Sequence, residues 1–153
     1  MATGHVMEEH RGELLLTDDV SRMDMATIHG WLSEESYWAK GRSREDVIAS
    51  LHQSHTYGVL QGDRQIAVAR TITDRTTFAY LCDVFVEAHS RNQLIGSWML
   101  SRILADLRES NIRQVLLATR DAHQLYMRAD FGFHPLTNPE RWLELDPTVD
   151  GLR

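Results

Sequence analysis

The chain has little of several residue types, and each shortage excludes a class of protein. Cys82 is the one cysteine among 153 residues, so an intramolecular disulfide is excluded. The cysteine content therefore gives no indication of an oxidising compartment. No segment approaches the roughly 18 consecutive apolar residues of a membrane-spanning helix. Lys and Arg number 16 against 22 Asp and Glu, which gives a formal net charge of -6. This balance argues against nucleic acid and against an anionic membrane as the main partner.

The residues that are present indicate one globular domain. With 153 residues and 42% hydrophobic content, the chain is long enough to form one hydrophobic core and too short for two domains of ordinary size. We therefore expect a single domain over residues 1–153, with residues 1–12 as a loose tail or a short lead into the first strand. The opening MATGHVMEEHRGE has no apolar core of signal-peptide length, so the cytoplasm is the expected location.

The first third of the chain predicts one strand and two helices. We expect the strand at residues 13–16 and a short helix between Met23 and Leu32, where apolar residues recur at helical spacing. Ser43, followed three residues later by Asp46, is typical of a helix start and predicts a second helix after the intervening loop.

The middle of the chain predicts three antiparallel strands. The segments TYGVLQ, IAVARTI and TFAYLCDVFV have the apolar and β-branched composition of strands. The connections between them are so short that they can join only antiparallel neighbours, so we expect a meander. The third segment, residues 77–86, has apolar residues on both faces, as expected for a strand covered on both sides.

The last third predicts a long helix, a parallel strand and a C-terminal pair of elements. An apolar stripe from Ile95 to Leu107 predicts the long helix, and Asn111 is a plausible stop. The buried segment QVLLAT follows a helical crossover from the meander, which implies parallel pairing. We expect a last helix near residues 120–129 and a terminal strand at RWLEL, residues 141–145.

Two motifs in this order of elements carry a resemblance to a known family. Arg91-Asn-Gln-Leu-Ile-Gly96 lies between the predicted central strand and the long helix, and TRDAHQLYMRADFGF follows the predicted parallel strand. With the order of elements, these motifs resemble the GNAT superfamily of N-acetyltransferases over about residues 13–145. The resemblance implies an α/β (α+β) fold: a central mixed sheet, an antiparallel meander followed by a parallel strand pair, and helices on both faces.

The resemblance also implies acetyl-CoA as cosubstrate and a set of residues that bind it. The helix start and Arg91 would meet the pyrophosphate charge, and the backbone of residues 84–86 would bind the pantetheine arm and polarise the acetyl carbonyl. The implied cofactor-binding residues are Val84, Phe85, Val86, Arg91, Asn92, Gln93, Leu94, Ile95, Gly96, Ser97 and His123. For His123, a surface or capping histidine is the competing interpretation.

Leu94 departs from the family pattern, because a glycine usually occupies its position. Asn92 is the best non-glycine residue for a positive φ, whereas Leu94 replaces neither the positive φ nor the close approach that glycine allows. One hypothesis is that Leu94 blocks the pyrophosphate. The other, which we prefer, is that the helix begins at Leu94 with ordinary helical backbone and a side chain turned toward the core.

Tyr126 and Asp83 are the candidate catalytic residues. The resemblance makes Tyr126 the general acid that protonates the departing thiolate, although Arg128 takes that position if no residues are inserted, and a packed aromatic is the structural alternative. Asp83 interrupts an apolar strand, so it either serves the amine substrate or forms an ion pair with an arginine. Cys82 has no base beside it in sequence, so we expect a buried, inert thiol.

The segment between the first two helices usually shapes the acceptor pocket in this family. Tyr37 and Trp38 could line that pocket or pack in the core, and Glu34 or Glu35 could attract an ammonium group. His52 and His55 are the one nearby histidine pair at helical spacing, and no third ligand accompanies them, so we expect no metal site.

The sequence therefore predicts a single-domain acyltransferase that acetylates the primary amine of a small molecule by direct attack. Two alternatives stay open: an acyl-CoA-binding or regulatory module without turnover, and a protein or peptide N-acetyltransferase. A homodimer is also open, and neither nucleic acid nor a membrane is an expected partner.

Overall fold

The computed structural model describes residues 6–147 of the chain. The chain divides into two compact units, residues 1–120 and residues 121–153, which are described separately. Within the described residues, no helix combines the length and the apolar character that crossing a membrane requires. The prediction of a single domain over residues 1–153 stays a prediction.

The first unit is built on a six-stranded sheet whose strand order follows the chain, β1 to β6. Neighbours from β1 to β5 pair antiparallel, and β5 and β6 pair parallel. The predicted meander and the predicted parallel pair are therefore confirmed. The strands are β1 (Glu8–Arg11), β2 (Leu14–Thr17), β3 (His55–Gln61), β4 (Arg64–Thr73), β5 (Phe78–Val86) and β6 (Gln114–Leu116).

Strand β1 lies where the sequence predicted a loose tail or a short lead. It forms a hairpin with β2 through a turn in which Gly12 has a φ of 57°, a value that glycine adopts without a side-chain clash. The Asp18 carboxylate also accepts a hydrogen bond of 2.7 Å from the Met7 backbone N–H. The strand is mostly exposed, so it has no alternation of apolar and polar residues that periodicity could detect.

Two helices cover one face of the sheet. They are α1 (Met25–Gly30), which continues into a wider turn at Trp31–Glu35, and α2 (Arg44–Gln53). The predicted start of α2 is confirmed, because the Ser43 side chain accepts a hydrogen bond from the Asp46 backbone N–H. The apolar cluster beneath these helices includes Met23, Ile28, Trp31, Leu32, Val47, Leu51, Val68 and Phe85.

The long helix α3 (Ile95–Glu109) covers the opposite face. Side chains alternate along a strand, so two successive residues of β3 contact the helices on opposite faces of the sheet. Thr56 donates to the Leu51 carbonyl of α2 at 2.7 Å, while the Tyr57 hydroxyl donates to Asp106 of α3 at 2.5 Å. Helix α3 buries the predicted apolar stripe, and the chain leaves it through Asn111, whose φ is 57°.

The second unit has little regular structure between residues 121 and 147. It contains the one-turn helix α4 (His123–Tyr126) and a short turn of 3-10 helix at Pro139–Arg141. The predicted helix near residues 120–129 is thus much shorter than expected. The predicted terminal strand at residues 141–145 is wrong, because these residues pair with no strand in the described part of the chain. Leu143 and Leu145 are exposed, so the alternation that suggested a strand does not correspond to a buried face.

Candidate active site

A β-bulge interrupts β5 at Asp83. Phe85 is opposite Val68 of β4, and Cys82 is opposite Arg70, so Asp83 and Val84 together face the single residue Ala69. Asp83 adopts a left-handed backbone with a φ of 51°. An extra residue on one strand bends that strand and increases its twist. The bulge therefore changes the direction of β5 immediately before residues 84–86, which the resemblance assigns to acyl-group binding.

Strand β5 pairs with β6 only over its first three residues. Phe78, Ala79 and Tyr80 are opposite residues 114–116, and from Leu81 to Val86 the described residues provide no partner strand on that side. This uncovered edge of β5 beyond Tyr80 is called the opening between β5 and β6. Unpaired backbone groups in such an opening can bind an extended polar ligand.

The loop that follows β5 returns the chain to the start of α3. A short helical turn at Ala88–Ser90 is fixed by the Ser90 hydroxyl, which donates to the Glu87 carboxylate at 2.8 Å. Arg91 then folds back: its Nε donates to the Val86 carbonyl at 2.9 Å, and its guanidinium lies 5.2 Å from the centroid of the Phe85 ring. A positive charge is thus held beside the end of β5 and the start of α3.

Leu94 differs from the conformation that we preferred on sequence grounds. Its φ is 61° and its ψ is 15°, so it is a left-handed cap that precedes the helix, and it is 67% exposed. The prediction of helical backbone and an inward side chain was wrong, because the direction of the loop determined the backbone and overrode the helix propensity of leucine. Asn92 has a φ of 66°, which confirms that this asparagine takes a glycine-like conformation.

The start of α3 presents unused backbone donors next to β5. The first intrahelical hydrogen bond runs from the Trp98 N–H to the Leu94 carbonyl at 3.0 Å, so the N–H groups of Ile95 and Gly96 precede the helical ladder. At Gly96 a Cβ would lie 3.4 Å from the Val86 side chain, so the small residue allows the helix to approach the strand closely. Such a helix start attracts an anionic group.

Asp83 is held by three side chains that the sequence pattern did not identify as its partners. Its Oδ2 accepts from Arg42 Nη1 at 2.8 Å and from Arg70 Nε at 2.7 Å, and its Oδ1 accepts from Trp38 Nε1 at 2.8 Å. Burial acts to raise the pKa of Asp83, but the two guanidinium groups outweigh it and lower the pKa. The ion pair with arginine, one of the two alternatives for Asp83, is therefore present.

The segment from Ser36 to Arg42, between α1 and α2, contacts both sides of the opening. Trp38 and Arg42 reach Asp83 on β5. The Tyr37 hydroxyl accepts from the backbone N–H of Arg120, beyond the end of β6, at 2.8 Å, and the Arg120 guanidinium lies 3.8 Å from the Tyr37 ring centroid. Tyr37 and Trp38 meet edge to face and are partly exposed, so they are surface aromatics at the opening rather than core residues.

Cys82 and the two glutamates that precede this segment, Glu34 and Glu35, show no sign of a chemical role. Burial raises the pKa of the Cys82 thiol to about 11, which keeps it protonated and unreactive near neutral pH. Glu34 and Glu35 are exposed, and the Glu34 backbone carbonyl accepts from Lys40 Nζ at 3.0 Å.

A second polar network lies on the face of the sheet that α3 covers. His55 contacts Asp18 at 2.8 Å and stacks on Tyr57, whose hydroxyl donates to Asp106. Arg75 contacts both His55 and Asp106. Among residues 6–147, no group of three or more His, Cys, Asp or Glu side chains is arranged to hold a metal ion. His55 therefore belongs to a structural network that ties α3 to the sheet.

Tyr126 and His123 both lie on α4 in the second unit. Tyr126 is buried and meets the Phe133 ring edge to face, with centroids 5.7 Å apart. His123 is exposed. Arg128, the alternative at the general-acid position, pairs with Asp130 at 2.6 Å and lies over the Phe131 ring. Within this unit, Tyr126 is therefore a buried aromatic residue, whereas Arg128 is exposed.

The bulge, the uncovered edge of β5 and the glycine-like loop before α3 agree with a match to a known family. The chain matches the model of the acetyltransferase (GNAT) family over residues 25–133. The chain belongs to the GNAT family of acetyltransferases. The GNAT match covers β3 to β6, the loop before α3 and the segment that holds Asp83.

Individual relatives support the same assignment of this GNAT acetyltransferase. A crystal structure of a candidate GNAT acetyltransferase from Xanthomonas campestris pv. campestris is 34% identical, has a TM-score of 0.83, and aligns over 90% of this chain and 95% of that chain. A candidate acetyltransferase from Gibberella zeae is 26% identical over 76% of this chain and 77% of its own length.

A more distant GNAT structure contains a ligand. The acetyltransferase from Elizabethkingia anophelis, solved with acetyl-CoA bound, is 14% identical and has a TM-score of 0.59. That alignment covers 81% of this chain and 78% of that chain. At this identity, the similarity to that structure concerns the fold alone.

Proposed function

We propose that this acetyltransferase transfers an acetyl group from acetyl-CoA to the primary amine of a small molecule by direct attack. The observation that carries the proposal is the adjacency of two features in the first unit. Residues 81–86 of β5 have no partner strand among the described residues on the side of β6, and the N–H groups of Ile95 and Gly96, which precede the helical ladder of α3, follow within a short loop. Acetyl-CoA, which is bound in one distant structural relative, would supply an acetyl group activated as a thioester.

The loop before α3 is suited to bind a pyrophosphate. Asn92 and Leu94 both have left-handed backbone, a conformation that can direct successive N–H groups toward one anion. Arg91 adds a full positive charge beside them. The remaining residues that we assign to this cradle are Gln93, Ile95, Gly96 and Ser97, and His123 is an additional candidate from the second unit.

The backbone of Val84, Phe85 and Val86 would bind the pantetheine arm and polarise the acyl carbonyl. The bulge at Asp83 lies between these residues and the start of β5, which pairs with β6. A backbone N–H directed at the carbonyl oxygen stabilises the negative charge that develops there when an amine attacks.

Asp83 is better suited to a positioning role than to proton abstraction. Its lowered pKa and its two arginine partners make it a weak base near neutral pH. It connects the bulge to the segment that carries Tyr37 and Trp38. We therefore assign Asp83 the task of fixing the acceptor side of the site against the acyl-binding strand.

Tyr126 is our candidate for protonating the sulfur. A tyrosine with a pKa near 10 would donate to the thiolate of a thiol with a pKa of about 8.5, a transfer that is uphill by about 2 kcal/mol. This cost is modest, and the tyrosinate can recover its proton from the ammonium group formed by the attacking amine. Arg128 cannot serve as such a donor, because a guanidinium stays protonated at any relevant pH.

Cofactor binding is the first test of the proposal. Acetyl-CoA should raise the melting temperature and give a measurable heat of binding, because a ligand that binds only the folded state stabilises it. Arg91→Ala should weaken binding and reduce its salt dependence. Arg113→Ala, which removes another exposed arginine of the first unit, is the matched control and should bind acetyl-CoA normally. A melting temperature and a calorimetric trace that do not respond to acetyl-CoA would refute the proposal.

Turnover is the second test. Coenzyme A release measured across a broad panel of amines distinguishes an enzyme from a module that only binds acyl-CoA. In Tyr126→Phe, the rate should fall by roughly 10²- to 10⁴-fold with little change in acetyl-CoA affinity, if protonation of the sulfur limits turnover. A wild-type rate in that variant would remove Tyr126 from the mechanism. Release that occurs only with a folded acceptor would favour a protein substrate.

A further inference from the structure

We propose that the acceptor amine carries a carboxylate and that Arg42 binds it, so that the acceptor is an amino acid or a close analogue. The inference rests on the proposed function, because it names the substrate class of the same site.

Two guanidinium groups share one carboxylate at the bulge. Arg42 and Arg70 both donate to the same oxygen of Asp83, and the third partner, Trp38, is neutral. Asp83 is 4% exposed, so the cluster lies at the edge of the interior. One positive charge is left over within this cluster. Because water screens a charge poorly in such a place, the surplus favours the approach of an anion.

The surplus is accessible at Arg42 rather than at Arg70. The Arg70 side chain is 11% exposed and also donates from Nη1 to the Ser54 hydroxyl at 2.9 Å. The Arg42 side chain is 25% exposed, and its Nη1 is used by Asp83. Within residues 6–147, its Nε and Nη2 have no hydrogen-bond acceptor. These two donors form one edge of the guanidinium, which is the geometry that binds a carboxylate through two parallel hydrogen bonds.

Arg42 is also in the right part of the molecule to orient an acceptor. Through Asp83 it is tied to the residue that precedes the proposed acyl-binding backbone of residues 84–86. It ends the segment that carries the exposed aromatics Tyr37 and Trp38. A carboxylate on Arg42 would therefore hold a nearby amino group at the opening between β5 and β6, as an amino acid requires.

The glutamates of the segment offer weaker recognition of a cationic acceptor. Glu34 and Glu35 are both exposed, and Lys40 lies close to Glu34 through its hydrogen bond to the Glu34 carbonyl. Exposed charges are hydrated and screened by salt, so they contribute little to binding. The charge of Arg42 is less hydrated than the charges of Glu34 and Glu35, and the ion pair with Asp83 fixes its orientation.

The test measures coenzyme A release with the proteinogenic amino acids, each assayed beside its carboxamide. We expect at least one free amino acid to exceed its carboxamide by tenfold or more in kcat/KM. Arg42→Gln should reduce kcat/KM for that amino acid by roughly 10- to 100-fold more than it reduces kcat/KM for the carboxamide. Arg42→Lys should restore part of the preference. Lys40→Gln removes a neighbouring positive charge and should keep the preference.

Three results would overturn the inference. One is a wild-type protein that accepts carboxamides as well as the free acids, and this comparison needs no variant to fold. A second is an equal loss on both members of a pair in Arg42→Gln, which indicates a merely structural role. A third is a protein that binds acetyl-CoA and acetylates amines without a carboxylate but none of the amino acids. Failure to bind acetyl-CoA, in contrast, refutes the proposed function itself.

Discussion

Asp83 and Leu94 are both non-glycine residues with left-handed backbone, and they differ in what supports them. Asp83, with a φ of 51°, is buried in the bulge and has three side-chain partners. Leu94, with a φ of 61°, is exposed and caps α3 without any side-chain hydrogen bond. Both residues flank the short stretch that we assign to acyl-CoA binding.

Tertiary contacts fix the left-handed backbone at Asp83, whereas the path of the loop fixes it at Leu94. Left-handed backbone costs an ordinary residue about 1–2 kcal/mol, and aspartate tolerates it better than leucine does. At Asp83 the ion pairs oppose this cost. At Leu94 the cost remains, since only the surrounding loop holds the backbone. Strain of this kind is common where a backbone must present groups to a ligand.

The largest expected effect comes from removing the charge at the bulge. Asp83→Asn keeps the side-chain shape and the tolerance for left-handed backbone, but it leaves Arg42 and Arg70 without a counter-charge. We expect a loss of about 3 kcal/mol in the free energy of unfolding, measured by urea denaturation. Glu8→Gln disrupts the exposed Arg22–Glu8 pair and should cost less than about 1 kcal/mol. Equal losses in the two variants would show that burial at the bulge is unimportant.

Lowering the pH should remove the stabilisation from the Asp83 ion pairs without a mutation. The pKa of Asp83 is lowered by folding, so its stabilisation is complete above the unfolded pKa of about 4 and is lost as pH falls below that value. The difference in unfolding free energy between wild type and Asp83→Asn should be constant from about pH 7 to pH 5 and shrink below about pH 4. Urea titrations of both proteins across this range provide the measurement. A difference that grows as the solution is acidified would contradict the assigned ion pairs.

Loosening the bulge by one hydrogen bond should have a smaller effect. Trp38→Phe removes the indole N–H that donates to Asp83 Oδ1, and we expect it to cost about 1.5–2 kcal/mol. Tyr37→Phe, at the adjacent aromatic, removes a hydroxyl that accepts from a neutral backbone N–H and should cost about 0.5–1 kcal/mol. Thermal or urea unfolding of the two variants checks the order, and the reverse order would argue that Asp83 does not need the indole.

The smallest effect, and the one of opposite sign, is expected at Leu94. Leu94→Gly should relieve the left-handed strain, and the gain should be partly offset by the greater entropy of glycine in the unfolded chain. We expect a net stabilisation of about 0.5–1 kcal/mol. Leu94→Ala removes most of the side chain but keeps the strain, so it should change stability little.

Acetyl-CoA affinity gives a second measurement on the Leu94→Gly protein. Because the loop already has a glycine-like backbone, calorimetry should show less than a tenfold change, equivalent to about 1.4 kcal/mol. A larger gain in affinity would indicate that the leucine side chain obstructs the ligand. It would also favour the alternative of a module without turnover.

Local sequence signals were sufficient for the middle of the sheet. Strands β3 to β5 were recognisable because they are apolar and joined by turns too short for any parallel connection. The cap at Ser43 was recognisable because its partner, Asp46, lies three residues away. Asn92 could be predicted to have a positive φ because its side chain tolerates that backbone.

The remaining features depend on contacts between distant residues. Arg42 and Arg70 lie 41 and 13 residues from Asp83, so no local pattern could choose them as partners. The left-handed backbone of Leu94 opposes the residue's own preference and follows from the path of the loop. At residues 141–145, alternating apolar residues predicted a strand that is not formed. A strand also needs a neighbouring strand to pair with, and alternation in the sequence does not show whether one is available.

The agreement between strand order and chain order has a consequence for how the protein folds. Each strand pairs with its neighbours in sequence, and the hairpins β1–β2, β3–β4 and β4–β5 close over only short turns. Sheets assembled from such near contacts have a low entropic cost of loop closure and fold faster than sheets whose strands cross. The β3–β5 meander can therefore form first and act as a template. The three-residue pairing of β5 with β6 requires the whole of α3 to be in place, so it should form among the last contacts.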